Sequence, residues 1–281
     1  MLRESLPRPE DRLALGASLQ VSPFCLGMVD GVDTVLAAFD VGVNFFFLSA
    51  DMHWPLYDPL RRGLEQLLAR GGGIRDHIVV AGVSYATQPE FCAAPFTELV
   101  DSVRGLERLD VLIAGGSYGY ELDRRMPMYR RHREHAFCGA RAIGSSFHDR
   151  TAAIAPLRDA TLDLCLVRYN SGHVGARVDL LPHVSGRRAL LYNFKSTLGF
   201  VPPARCDELG LDPQMWRPSI TDHYRFVLSH PEFDGILCSL TAPSQVDELV
   251  AALDDGALDP DEQQHLELLS RLHAGSSELK P

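Results

Sequence analysis

The residues best suited to chemistry in this sequence are an aspartate and a histidine, Asp51 and His53, separated by one residue. Side chains two residues apart on an extended segment point the same way, so this carboxylate and imidazole would form an acid–base pair. We predict that His53 gives and takes the proton and that Asp51 orients it. The alternative interpretation is that Asp51 caps a turn and that His53 is simply exposed.

A second candidate group consists of Arg168, His173 and Lys195, which we predict to contact a substrate. A lysine at the end of a buried strand can act as a base or form a Schiff base. It can also bind an anionic group of the substrate or pair with a carboxylate, and these roles stay open for Lys195.

Tyr85, Tyr118 and His148 are further predicted substrate contacts, because each follows a predicted strand. For the two tyrosines the alternative is a ring packed against its surroundings. The donor types of a metal site are present, but the spacing is not that of a tight ligand set, so no metal is predicted. The residues concerned are Asp51, His53, His148, Asp149 and His173.

Eight short apolar segments, rich in Val, Ile, Leu or Phe and without polar alternation, recur along the chain. This pattern is typical of strands that are covered on both faces. Helical patterns, with apolar residues at i, i+3, i+4 and i+7, lie between them. The predicted strands are 24–28, 43–49, 77–84, 110–115, 142–146, 162–169, 188–194 and 235–240, and the predicted helices are 33–41, 59–68, 94–109, 221–228 and 245–253.

Strand alternating with helix eight times predicts an α/β fold, a (β/α)8 TIM barrel, over residues 1–281 as a single domain. A hairpin turning at 16–18 precedes the first strand, and a long loop of about forty residues, 195–234, joins strands seven and eight. The alternative is an open doubly wound sheet, but no GxGxxG segment follows the first strand. In a barrel the candidate residues named above lie together at the carboxyl ends of the strands.

The composition excludes several classes of function. A formal net charge of −10 argues against nucleic acid and against anionic membranes as partners. No apolar run reaches the length of a membrane span, and the six cysteines form no CxxC pair. The arginines between positions 124 and 133 are interpreted as a solvated helix face. The sequence therefore predicts a reduced, cytoplasmic protein that acts on a small molecule.

Six segments taken in order resemble the aldo/keto reductase superfamily, and together they extend over nearly the whole chain. A narrower likeness, RYNSGHVGA at 168–176, resembles the R-Y-N-x-x-H-x-G-A-E of one branch of that superfamily, with Arg177 where the branch has glutamate. The six segments are LGASLQVSPFCLGM at 15–28, GVNFF at 42–46, RDHIVV at 75–80, AIGSS at 142–146, LVRYN at 166–170 and LLYN at 190–193.

The resemblance also shows where this chain departs from the family, which reduces carbonyls with NADPH through an Asp, Tyr, Lys and His tetrad. Aligned on Gly63, the sequence lacks that tetrad. Leucine and valine neither donate a proton nor shift a neighbour's pKa through charge, so the residues that would protonate the substrate during reduction are missing. The four positions are held by Leu48, His53, Val83 or Ser84, and Gly115.

The residues that bind the cofactor in the family are only partly present in this sequence. The family stacks nicotinamide on a tyrosine of the seventh strand, which is Tyr192 here, and Ser146 would meet the carboxamide. The family holds the 2′-phosphate of NADPH with a basic residue after the eighth strand, but residues 238–248 contain no Lys or Arg. Binding of NAD(P)H stays open, with Tyr192 and Ser146 as its contacts if it binds.

These observations favour a divergent aldo/keto-reductase-fold enzyme that acts on a small polar metabolite by acid–base chemistry. Elimination, cyclisation or isomerisation suits such a site better than carbonyl reduction. One alternative is an NAD(P)H-dependent oxidoreductase in which His53 replaces the catalytic tyrosine. The other is a barrel that binds a ligand without catalysis.

Overall fold

The computed structural model describes residues 2–49, 51, 54–134 and 140–278. A short antiparallel hairpin, β1 (Leu13–Leu15) and β2 (Leu19–Val21), comes first. Its turn contains Gly16, whose φ of +60° is the left-handed conformation that glycine adopts without strain. Leu15 and Val21 are fully buried, so the hairpin packs against the rest of the chain.

Eight parallel strands then close into a barrel, which confirms the predicted (β/α)8 architecture and the N-terminal hairpin. Around the ring the order is that of the chain, with the last strand paired to the first. The strands are β3 (Phe24–Val29), β4 (Phe45–Ser49), β5 (Val79–Ser84), β6 (Val111–Ser117), β7 (Ala142–Phe147), β8 (Leu164–Arg168), β9 (Leu190–Phe194) and β10 (Gly235–Leu240).

The strands are buried on both faces, as their continuous apolar runs predict. The outward face packs on the helix Ala94–Ser102 and the loop that follows it. A Cβ added at Gly82 of β5 would lie 2.9 Å from Leu99 in that helix and 2.6 Å from Leu109 in the loop. The inward face forms the barrel core, where the rings of Phe45 and Tyr192 meet edge to face with centroids 5.8 Å apart. Since β4 and β9 are not neighbours, this contact crosses the interior.

Helices surround the barrel, and the bounds of the five that the sequence predicted agree with the prediction except at one place. The predicted helix 94–109 ends at residue 102, because Val103 is extended (φ −118°, ψ 105°). Gly105 (φ +86°) and Glu107 (φ +61°) are left-handed, so the helix does not resume after it. The helices are α1 (Val32–Asp40), α2 (Asp58–Ala69), α3 (Ile74–His77), α4 (Ala94–Ser102), α5 (Gly119–Arg133), α6 (Ile154–Asp159), α7 (Ala176–Asp179), α8 (Pro203–Glu208), α9 (Ile220–Leu228), α10 (Pro243–Asp254) and α11 (Pro260–Glu278).

The long segment between β9 and β10 carries both α8 and α9, and three 3-10 turns, including Trp54–Tyr57 after β4, complete the described chain. Within that part of the chain, no helix is long and apolar enough to cross a membrane.

One interpretation of the sequence was wrong: the basic run on α5 is not wholly a solvated face. Arg125 is fully buried, and its guanidinium donates to the carbonyl oxygens of Ser84 (2.6 Å) and Gly115 (2.9 Å). Arg124 and Arg130 on the same helix are exposed, as predicted.

The amino-terminal end of the barrel is tied together by one buried carboxylate. Asp110, which immediately precedes β6, is fully buried and accepts a hydrogen bond from the backbone N–H of Val80 at 2.8 Å. Its oxygens also pair with Arg75 at 3.0 Å, Arg141 at 3.0 Å and Arg108 at 3.6 Å. This carboxylate therefore joins β5, β6 and β7 at their starts.

Candidate active site

The candidate site is the carboxyl end of the barrel, where the loops that leave the strands surround a polar mouth. Strand pairing fixes which side chains point inward there. Ser49 pairs with Val83, Ile113 with Gly144, Ser146 with Leu166, and Arg168 with Phe194, each pair on the same face. In the ring of eight strands β4 and β8 are four places apart, so the loop after β4 faces the loop after β8 across the mouth.

Asp51 stands on the β4 side of this mouth with both carboxylate oxygens held. The hydroxyl of Ser49 donates to Oδ1 at 2.8 Å, and the backbone N–H of Tyr85 donates to Oδ2 at 2.6 Å. The residue is half-buried. Asp51 thus joins the ends of β4 and β5, and its carboxylate has a fixed orientation. His53 lies outside the described residues, so its pairing with Asp51 stays a prediction.

Tyr57 is a candidate that the sequence analysis missed. It ends the 3-10 turn after β4, is only 5% exposed, and packs against Phe47 with ring centroids 6.2 Å apart. Burial raises the pKa of Tyr57 well above its ordinary value, and the nearby Tyr85, Cys25 and Asp51 add to the rise. The phenol therefore keeps its proton near neutral pH and is able to donate a hydrogen bond.

Tyr85 and His148 meet over two glycines of β6. A Cβ at Gly115 would lie 2.6 Å from the Tyr85 ring, and one at Gly116 would lie 3.0 Å from Nε2 of His148. The glycines therefore allow both side chains to lie over the mouth. Burial, followed by the charge of Asp51, raises the pKa of Tyr85 to about 12, so it too stays protonated.

The exposed ring of Tyr118 lies next to His148, on the outer side of the Tyr85 and His148 pair. Its centroid lies 5.8 Å from that of His148, and it stacks on Tyr120 at 6.4 Å. Arg125, through its bonds to the carbonyl oxygens of Ser84 and Gly115, fixes the ends of the two strands that carry this half of the mouth.

The β8–β9 half of the mouth carries Arg168, His173 and Lys195. Arg168 lies beside Phe194 in the register of β8 and β9, and Lys195 is the residue after Phe194. The pKa of His173 is lowered by partial burial and then by three cations, Arg168, Arg150 and Lys195. The structure thus brings together the three residues that the sequence analysis grouped, with Asp51 across the mouth.

Asn170 connects the two loops that carry these cations. Its side-chain amide donates to the carbonyl oxygen of Lys195 at 2.9 Å, and its Oδ1 accepts from the N–H of Gly172 at 3.0 Å. Its own carbonyl accepts from the N–H of His173 at 2.8 Å. Asn170 is fully buried, so the loops are held at fixed positions by one amide.

Of the two residues named as nicotinamide contacts, Tyr192 does not fit that group as the structure places it. Tyr192 is fully buried in the barrel interior, and its hydroxyl donates to the carbonyl oxygen of Ser22 at 2.6 Å, near the amino-terminal end. Its ring therefore has no open face on which a nicotinamide could stack. Ser146 does point into the mouth, where its hydroxyl accepts from the N–H of Gly116 at 2.8 Å.

The described residues contain no group of three or more His, Cys, Asp or Glu side chains suited to a metal ion. The cysteines at positions 25, 92, 165, 206 and 238 are free and buried. Burial raises the pKa of the Cys238 thiol to about 12, which keeps it from acting as a nucleophile.

Comparison with solved structures shows the fold of the aldo-keto reductases. An aldo-keto reductase from Bacillus halodurans in its holo form superposes with a TM-score of 0.66, at 17% identity over 92% of this chain and 96% of that one. Its apo form gives 0.65 at the same identity and coverage. A Pseudomonas aeruginosa structure provisionally assigned to the aldo-keto reductases gives 0.63 at 17% identity, over 90% of this chain and 98% of that one.

No protein-family profile matches the sequence. No curated protein matches it either. At 17% identity the structural likeness concerns the fold, so the chemistry has to be argued from the residues of the mouth.

Proposed function

We propose that the barrel mouth is the active site of an enzyme that moves protons on a small polar molecule, with Asp51 as a base. The observation that supports this most is the fixed Asp51 carboxylate, whose two oxygens are held by Ser49 and by the N–H of Tyr85. A base that is already oriented loses little freedom when it takes a proton from a bound substrate.

Tyr57 and Tyr85 supply the matching donors. Both phenols keep their protons near neutral pH because burial and the charge of Asp51 raise their pKa. A hydroxyl that stays protonated can stabilise negative charge that develops on a substrate oxygen when a neighbouring carbon loses a proton. Carboxylate and phenol together suit isomerisation, elimination or cyclisation. His53 is proposed as the residue that carries the proton onward.

The proposal is tested by solvent exchange. The protein is incubated in D2O with a panel of small 2-oxo acids, hydroxy acids and sugar phosphates, and deuterium in each compound is followed by mass spectrometry. We expect at least one compound to exchange or react, and Asp51→Asn to slow the reaction by about 10²- to 10⁴-fold. Asp30→Asn, which changes an exposed carboxylate after β3, is the matched control and should react like the wild type.

Exchange that survives in Asp51→Asn would remove Asp51 from the mechanism. The competing reductase is tested by titrating NADH and NADPH while following the fluorescence of Trp54 and Trp216. Saturable binding, together with turnover that requires the nucleotide, would replace this proposal with a nicotinamide-dependent reaction. A barrel that binds compounds of the panel but transforms none would be the non-catalytic alternative.

A further inference from the structure

Arg168 ends β8 and Lys195 follows β9, and neither forms an ion pair with a carboxylate among the residues that the structure describes. The chain has 37 acidic residues against 27 Lys and Arg, and arginine side chains form ion pairs at many places along the fold. Among the residues that the structure describes, the side chains of Arg168 and Lys195 make no hydrogen bond and no ion pair. Two adjacent cations without a carboxylate repel each other, so their position costs stability unless a ligand offsets it.

Lys195 is unusual in its residue type and in its backbone conformation. The chain uses arginine 25 times and lysine only twice, at positions 195 and 280. The lysine at 195 also has a φ of +60°, a left-handed backbone conformation that a non-glycine residue rarely takes. Strain of this kind persists where the surroundings enforce it, here through the bond from Asn170 to the Lys195 carbonyl, and it is characteristic of functional sites.

The polar network beneath these cations holds them in place. Asn193 donates to the carbonyl oxygen of Tyr169 at 2.6 Å, Ser196 donates to Asn193, and Asn170 joins the loops of His173 and Lys195. Asn170, Asn193 and Ser196 are at most 2% exposed. Rigid backbone supports therefore carry charged ends that are open to the mouth, which is the arrangement of a preorganised binding site.

From these observations we propose that Arg168, His173 and Lys195 bind an oxyanion, a carboxylate or phosphate group, carried by the substrate. This proposal deepens the proposed function, and its statement that the anion belongs to a substrate rests on that function. Arg168 presents a planar fork of donors that matches a carboxylate or two phosphate oxygens. Lys195 adds a point charge and His173 a ring N–H. Because β8 lies opposite β4, the bound anion would place the rest of the molecule toward Asp51.

The first test measures binding of inorganic phosphate and of succinate by isothermal titration calorimetry. We expect the wild type to bind at least one of the two anions. Arg168→Gln and Lys195→Gln should each weaken that binding by about tenfold or more, because each removes a charge-assisted contact. The matched control is Arg188→Gln. Arg188 is exposed and precedes the same strand, β9, at the opposite end of the barrel, so this variant should bind like the wild type.

The two anions distinguish the sources of the oxyanion: tighter phosphate binding indicates a phosphorylated substrate, and tighter succinate binding a carboxylic acid. If neither anion binds the wild type, or if Arg188→Gln weakens binding as much as Arg168→Gln does, the proposal is overturned. Asp51→Asn separates this inference from the proposed chemistry. It should slow exchange strongly and leave anion binding intact, so each of the two claims can fail independently of the other.

A covalent test uses the scarcity of lysine. Pyridoxal 5′-phosphate carries an aldehyde that condenses with an amine to an imine and water, and borohydride then reduces the imine to a stable amine. Its phosphate directs it to a lysine beside an anion site. We expect peptide mapping to find Lys195 labelled faster than Lys280, and inorganic phosphate to protect Lys195 alone. Equal labelling of the two lysines, unaffected by phosphate, would contradict an anion site at Lys195.

Discussion

The two ends of the barrel use the same charged residue types in opposite ways. At the amino-terminal end, Asp110 is fully buried and surrounded by Arg75, Arg108 and Arg141. At the carboxyl end, Arg168 and Lys195 lie together without a carboxylate among the described residues. Other charges at the carboxyl end are satisfied, as Arg150 is by Asp179, so the contrast concerns Arg168 and Lys195.

This difference indicates what each end does. A buried carboxylate that is paired and hydrogen-bonded is expensive to disturb, so the amino-terminal end contributes to stability. Unpaired cations over a rigid backbone contribute nothing to stability and are suited to bind an anion. In TIM-barrel enzymes generally, the amino-terminal face serves stability and the carboxyl-terminal face carries the active site, and the function proposed for this chain follows the same division.

The largest effect is expected at Asp110. Asp110→Asn leaves three arginines around a neutral amide, and we expect it to lower the free energy of unfolding by about 3–5 kcal/mol. Urea unfolding measures this. Asp76→Asn, which removes an exposed partner of Arg108, is the control and should cost no more than about 0.5 kcal/mol. Equal losses in the two variants would show that the Asp110 cluster is not the structural charge centre.

A smaller, pH-dependent effect is expected from buried histidines on the barrel flank. Burial lowers the pKa of His223 to about 4, against a small opposing effect of Asp222. Burial and then Arg177 lower the pKa of His230 to about 4. Both imidazoles are thus neutral in the folded protein and take up a proton on unfolding below about pH 6.5. Stability is therefore complete above about pH 6.5 and falls as the pH drops toward about 4.

His223→Gln measures this contribution. We expect the variant to reduce the slope of unfolding free energy against pH between about 6.5 and 4 by about 1.4 kcal/mol per pH unit. His173→Gln, at the exposed mouth, should change that slope less. If His223→Gln leaves the slope of the wild type unchanged, His223 does not stay neutral in the folded protein.

The smallest effect on stability is expected from the mouth itself. Replacing Arg168 and Lys195 together with glutamine should change the free energy of unfolding by no more than about 0.5 kcal/mol, or raise it slightly by relieving repulsion. Thermal and urea unfolding of the double variant give the value. A loss comparable to that of Asp110→Asn would mean that these cations have a structural role and that the contrast between the two ends is wrong.

Much of the fold could be predicted because burial on both faces leaves continuous apolar runs in the sequence. The last strand, 235–240, has the predicted bounds, and the hairpin turns at the predicted residues. The helix from Ala94 was predicted too long because apolar spacing continues past the point where Gly105 and Glu107 adopt a positive φ. Spacing reports which side chains are apolar and says nothing about backbone conformation.

The mouth could be predicted only in part. Residues at strand ends, such as Arg168 and Lys195, were found because strand bounds fix their place. Tyr57 was missed because a 3-10 turn after β4 determines where its ring lies. The burial of Arg125 was not predicted, because a run of basic residues suggests solvent exposure whichever side of the helix each residue occupies. The burial of Tyr192 was not predicted, because its depth in the barrel depends on the stagger of the strands.

The most direct measurement is an anomalous difference map from crystals grown with tungstate, a heavy analogue of phosphate. We expect a peak within hydrogen-bonding distance of the Arg168 guanidinium and Lys195 Nζ, opposite Asp51. The exposed arginines of α5, Arg130 and Arg131, offer a competing cationic surface outside the mouth. Tungstate bound only there, with none between β8 and β9, would contradict the assignment of the mouth as an anion-binding active site.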